Sequence, residues 1–147
     1  MNIQARRLLR VSAAISFCVW LLSALSASAQ EREIIEMNHY KIKGGLKSEW
    51  LELYKKNHLP ILQDHQKAGL IQDIKIFEIS SHQLEPDLDY LVMIHLKNWS
   101  ARDAMEKRED EVRQRLYPAK EKFEQEENRR WEITVKHWDT AIRPVKP

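Results

Sequence analysis

The chain has 147 residues, with 24 Lys and Arg against 22 Asp and Glu. The formal net charge of +2 gives no basic surplus of the kind that neutralises nucleic-acid phosphates, so nucleic acid is not expected as a partner. The length suits one domain with a real core.

The first residues read as a leader rather than as part of the fold. Arg6, Arg7 and Arg10 precede an apolar run from Val11 to Leu25, and Ala27-Ser28-Ala29 is the small-x-small pattern of a signal-peptidase site. The run is shorter than the roughly 20 residues that span a bilayer. Residues 1–29 are therefore expected to be a secretory signal peptide. The product would be periplasmic or secreted, with no membrane attachment after cleavage. Cleavage removes 3 of the 24 basic residues and no acid, leaving a balance of −1. It also removes Cys18, the one cysteine, so packing alone must hold the mature chain.

In chain order, Glu33 to Lys43 alternates as a strand, and Gly44-Gly45 ends it with a turn. Leu46, Trp50, Leu53, Tyr54, Ile61 and Leu62 recur at helical spacing, and Gly69 marks the stop. Pro60 predicts a kink or break near Asn57. Leu70 to Ser80 is a second strand, and the next eight residues, with Pro86, are a loop. Asp89 to Lys97 is a third strand, with Tyr90, Val92, Ile94 and Leu96 on one apolar face. Ser100 with Asp103 resembles a capping box that opens a second helix. Ala101, Met105, Val112, Leu116, Ala119 and Phe123 form its stripe, and Tyr117-Pro118 divides it. The charge runs after Glu106 and after Lys120 read as exposed helix faces. Trp131 to Trp138 is a fourth strand, and residues 140–147 are a C-terminal tail.

The order β-α-β-β-α-β predicts an α+β, ferredoxin-like domain over residues 30–139. Its two helices lie on one face of a four-stranded antiparallel sheet, with the first and third strands central. Met37 and Ile35 are assigned to the helix side of the first strand. Glu36, Asn38 and Tyr40 then share the open face with His95, Met93 and Trp138. So mixed a face suggests a homodimer in which two sheets pack into an α/β barrel enclosing a cavity.

The segment from Ile34 to Leu62 resembles the start of a NIPSNAP-type dimeric α/β-barrel domain. Glu36, Met37, Tyr40 and Gly45 fit its opening pattern. Asn38 stands where arginine is usual, and His58 lies two rather than three residues before Pro60. The resemblance implies the dimeric barrel and a small-molecule cavity. Relatives on this scaffold include binders, cofactor-free oxygenases and haem-degrading enzymes, and fold does not select among them.

The functional expectation is an exported homodimer that binds a small, partly apolar molecule through Glu36, Asn38, Tyr40, His58, Met93 and Trp138. The alternative is a cofactor-independent oxygenase or isomerase with His95 as acid-base, since imidazole titrates near neutral pH. No metal site is expected, because the six histidines form no HxH or HExxH pattern and His58 and His65 lie about 10 Å apart along a helix. No cofactor is expected either. Haem held by His58 or His95 is the one exception, and Ala101 to Arg130 lacks the second-helix histidine of haem-degrading relatives. Trp50, Tyr54, Trp99, Trp131 and Trp138 read as packing rather than as a ligand box.

Overall fold

The computed structural model describes residues 32–80 and 87–145. The expected signal peptide, Cys18 and the loop around Pro86 lie outside the described residues. The elements are β1 (Ile34–Ile42), α1 (Lys47–Leu53), a π-helical turn (Tyr54–His58), α2 (Leu59–Lys67), β2 (Ile71–Glu78), β3 (Tyr90–Leu96), α3 (Trp99–Leu116), α4 (Lys120–Glu132) and β4 (Thr134–Ile142). The sheet is antiparallel in the order β2-β3-β1-β4, so β1 and β3 are central, as the crossover rule requires.

Ile34, Tyr40 and Ile42 of β1 and Tyr90, Val92, Ile94 and Leu96 of β3 are buried in one core. Directly opposed residues of an antiparallel pair share a face. The register pairs Ile34 with Leu96, Glu36 with Ile94, Asn38 with Val92 and Tyr40 with Tyr90. The row expected on the open face therefore lies under the helices. Ile35, Met37 and His39 occupy the open face instead, opposite His95, Met93 and Leu91. The physical reason is at the strand's ends: Ile34, Tyr40 and Ile42 gain more by burial than Ile35 and Met37 would. The polar Glu36 and Asn38 are carried in with them.

Trp50 is the centre of the core. Its ring stacks on Tyr90 (5.1 Å, 12°) and Tyr54 (5.1 Å, 22°) and meets Tyr40 at 4.6 Å. Its Nε1 donates to Thr134 Oγ1 (2.9 Å), whose hydroxyl donates to the Arg130 carbonyl (2.8 Å). Asp89, also buried, closes the other end of the sheet. Its carboxylate accepts from the Ile42 N–H (2.8 Å) and pairs with Lys47 (2.5 Å). Burial alone would raise the Asp89 pKa. The Lys47 and Ile42 hydrogen bonds and the nearby lysine charges outweigh burial and hold it below the ordinary carboxylate range.

Several boundaries differ from expectation. Asn98, not Ser100, caps α3: its side chain accepts from the Ala101 N–H (2.8 Å), and Ser100 sits inside the first turn. Helix α4 runs through Trp131 to Glu132, so β4 begins later than Trp131 and continues to Ile142, past the boundary expected at residue 139. Thr140, Ala141 and Ile142 are ladder residues rather than tail, paired with Met37, Glu36 and Ile35. Helices α3 and α4 are separate pieces, as Tyr117-Pro118 predicts.

Pro60 neither breaks nor ends its helix. The chain widens into the π turn, and the Leu59 N–H reaches back to the Tyr54 carbonyl. Pro60 has no N–H to offer the preceding turn. The Tyr117 hydroxyl takes that role, lying 3.0 Å from the Lys56 carbonyl and 2.8 Å from that of Asn57. Helix α2 then closes in a Schellman motif, with Gly69 at φ +75, Gly69 N–H on the Gln66 carbonyl and Leu70 N–H on that of His65. Tyr117→Phe should lower unfolding free energy by about 1 kcal/mol, the ordinary net worth of such a bond. The loss should shrink in a Pro60→Ala background, where a backbone donor returns. Chemical denaturation of the four proteins of this double-mutant cycle measures both effects.

Candidate functional site

The helix-side polar row of β1 forms the floor of a chamber of about 220 Å³ between sheet and helices. Glu36, Asn38 and Tyr40 line it from β1, His58, Ile61 and His65 from the helix above, and Arg130 and Trp131 from α4. A second chamber of about 350 Å³ shares His58, Ile61, Glu109, Arg130 and Trp131 with the first and continues outward between the helices. A larger groove of about 560 Å³ lies beside Tyr117 and Pro118, but none of the residues lining it is buried.

Each wall has its own electrostatics. Arg102 donates through Nε to Glu36 (2.7 Å) and through Nη1 to Glu106. Asn38 Nδ2 donates to Asp139 (2.5 Å). His137 stacks on Tyr40 at 4.4 Å, and its Nδ1 lies 3.0 Å from the His39 carbonyl. A carbonyl only accepts, so Nδ1 carries the proton and Nε2 faces Asp139 at 3.3 Å.

Arg130 is 1 % exposed. Its Nε (3.1 Å) and Nη2 (2.7 Å) fork onto Glu127, one turn back on α4. Its guanidinium lies 4.6 Å from the Trp131 ring, 5.7 Å from Tyr54 and 6.0 Å from Trp50. Nη1 is buried with no hydrogen-bond partner, and so is Nδ1 of His65 on the chamber wall. Burial pushes the Tyr40 and Tyr54 phenols well above their usual range. His58 moves the other way: burial, reinforced by the Arg130 charge, lowers its pKa to about 4. It is neutral at physiological pH.

The structure thus brings together four of the seven residues expected at the site: Glu36, Asn38, Tyr40 and His58. It separates the other three. His95 pairs with Ile35 on the opposite face and contacts Glu33 at 3.2 Å, Met93 pairs with Met37, and Trp138 stacks on His39 at 4.9 Å. His95 is therefore not beside Asn38 and Tyr40. Among the aromatic residues, Trp50 and Tyr54 are core, whereas Trp131 is half-exposed at the chamber wall. Arg130, Arg102, His137 and Asp139 were missed. Arg130 lay in a charge run read as solvated, yet it follows Phe123 and Glu127 at helical spacing and leads into buried Ile133. That spacing was the available signal.

Among the described residues, no three His, Cys, Asp or Glu side chains gather closely enough to hold a metal ion. Of the two histidines considered for haem, His58 lines the inner chamber and His95 lies on the opposite face of the sheet.

An antiparallel sheet in the order β2-β3-β1-β4, with its helices on one face, defines a ferredoxin-like α+β domain, here with a two-chambered cavity under the helices. Solved structures carry the same fold. The chain is similar to a NIPSNAP family protein of Agrobacterium tumefaciens, with TM-score 0.54 and 16% identity over 77% of this chain and 93% of that one. It is similar to an uncharacterised NIPSNAP domain protein of Burkholderia xenovorans, with TM-score 0.52 and 18% identity over 76% and 94%. A dimeric ferredoxin-like protein from an uncultured marine organism matches with TM-score 0.55 and 8% identity over 80% and 91%. The NIPSNAP-like resemblance in Glu36, Met37, Tyr40 and Gly45 therefore holds at the level of fold. No family model matches the sequence, and no curated protein matches it.

The depressed His58 pKa has a consequence for stability. The unfolded chain binds a proton at about 6.5, the folded one at about 4. Stability from this residue is complete above the unfolded value and is lost as pH falls through the window toward 4. In a histidine-ring NMR titration, His58 should stay neutral down to about pH 5 and titrate near 4. Arg130→Gln should move that midpoint upward, because it removes the repelling cation and leaves Glu127 unopposed.

Proposed function

We propose that this is an exported, homodimeric binding protein that holds a small, partly apolar molecule in the cavity of each protomer. The observation that carries the reading is Arg130: it lines the cavity, and its Nη1 is a buried donor without a partner. Buried polar atoms are almost always satisfied. An occupant that accepts from Nη1 supplies what folding leaves out. The cavity mixes Ile61, Leu62, Ile94 and Met105 with its polar groups, which suits a ligand that is apolar in part.

A second copy is the proposed cover for the open sheet face. That face carries Ile35, Met37, Leu91, Met93 and Trp138, none of them fully buried, with Phe77 42 % exposed at one edge and Ile142 41 % exposed at the other. The marine ferredoxin-like neighbour is described as dimeric, which favours a dimer here. The enzymatic alternative, a cofactor-free oxygenase or isomerase, passes from His95 to His137, whose Nδ1–H is fixed by the His39 carbonyl and whose Nε2 lies at the chamber wall.

Native mass spectrometry of protein expressed with its leader and purified without added ligand tests the reading. The expected species is a dimer of chains beginning at Gln30, with a reproducible extra mass on each. Met105→Trp, which fills the inner chamber, should remove that mass. Chains free of any adduct in wild type and variant alike would sink the binding reading.

The dimer has its own test, in light scattering of Met93→Glu. A carboxylate placed in the middle of the open face should yield a folded monomer. An unchanged dimer would place the interface elsewhere.

A further inference from the structure

We propose that the molecule in the inner chamber is uncharged and presents a carbonyl oxygen to Nη1 of Arg130. The inference rests on the binding reading above and names the chemistry of the occupant.

A buried arginine usually suggests an anionic ligand. Here the neighbours argue otherwise. The inner chamber is lined by four carboxylates, Glu36, Glu106, Glu109 and Asp139, against two guanidiniums, Arg102 and Arg130. Both cations are already matched: Arg102 binds Glu36 and Glu106, and Arg130 binds Glu127. His58 adds no positive charge at neutral pH. A ligand carboxylate on Nη1 would bring another negative charge into a wall that is already net negative. Glu36, the least exposed of the four at 17 %, repels such a charge with the least screening from solvent. Nη1 needs an acceptor, and it does not need a counter-ion. A carbonyl oxygen satisfies the donor without adding charge.

A second lining residue fixes the complementary group. Asp139 accepts from Asn38 Nδ2 and faces His137 Nε2, and an ionised carboxylate has lone pairs for further donors. The occupant's second polar group is therefore an N–H or O–H donor. The ring of Trp131, under the Arg130 guanidinium at 4.6 Å, offers a flat, half-exposed surface on the chamber wall. The three features together describe a planar molecule with a carbonyl and an N–H or O–H donor.

Benzamide, benzoate and toluene form a matched probe series of one ring and three substituents. Each is titrated into wild-type dimer near neutral pH while the ring signals of His58 and His137 are followed by NMR. Benzamide should shift both signals and bind roughly tenfold or more tightly than toluene, as one hydrogen bond to a charged donor allows. It should also bind more tightly than benzoate, and benzoate should gain as pH falls toward its own ionisation. Arg130→Lys, which keeps the charge but not the fork, should abolish the preference for benzamide. Benzoate binding as well as or better than benzamide would overturn the uncharged-carbonyl proposal and leave the cavity reading intact. Toluene binding as well as benzamide would overturn the role given to Nη1. If none of the three, toluene included, moves either histidine, the cavity reading falls together with the proposal.

Discussion

The structure depends on burying one cation. Arg130 cannot lose its proton, so it enters the core charged, and everything near it answers that charge. Glu127 takes one edge of the guanidinium, and the rings of Trp50, Tyr54 and Trp131 lie beside it. Trp50 in turn fixes Tyr90 and Tyr40 by stacking and reaches Thr134, whose hydroxyl closes the circuit on the Arg130 carbonyl. Core and cavity are thus parts of one assembly. The aromatic packing that holds helix to sheet also surrounds a residue that lines the cavity.

The same cation explains the chemistry of its neighbours. His58 is pressed toward neutrality by burial and by Arg130 together, so the chamber holds an uncharged imidazole where a surface histidine would respond to physiological pH. Tyr40 and Tyr54 keep their protons because burial resists phenolate far more than the guanidinium favours it. At physiological pH these three rings therefore offer hydrogen-bond donors and acceptors rather than charge. That character suits selective binding through hydrogen-bond pattern, with electrostatic attraction in a minor role.

The order of elements was legible in the sequence because it depends on period and punctuation. Gly45 and Gly69 take positive φ where the turn and the helix stop were expected, and Tyr117-Pro118 parts the two later helices. The uniform row Tyr90, Val92, Ile94 and Leu96 gave its face without ambiguity. The first strand did not, because both of its rows are mixed. There Ile34 and Ile42 outweighed Met37 and Ile35, and that balance depends on which residues the helices can cover. Arg130 was hidden for a related reason. A charge on a helix reads as solvated unless its partners are known, and Glu127 and the Trp50 ring become visible as partners only once the chain is folded. Glu36, Asn38 and Tyr40 were thus expected to line a cavity together, but on the wrong side of the sheet.

The π turn links these observations. A π turn inserts one residue into a helix, and it persists only where the widened backbone is supported. Support comes from Tyr117, at the joint between α3 and α4, whose hydroxyl lies against the Lys56 and Asn57 carbonyls. The Asn57 side chain and Lys56 both reach Glu126 on α4. The insertion sets the phase of the helix so that Tyr54 enters the core while His58, beside it at 5.0 Å, lines both chambers. A regular helix would rotate every residue after the insertion by about 100° relative to those before it. His58 or Tyr54 would then leave its place. The joint between α3 and α4 and the turn carrying His58 are therefore held by one set of bonds.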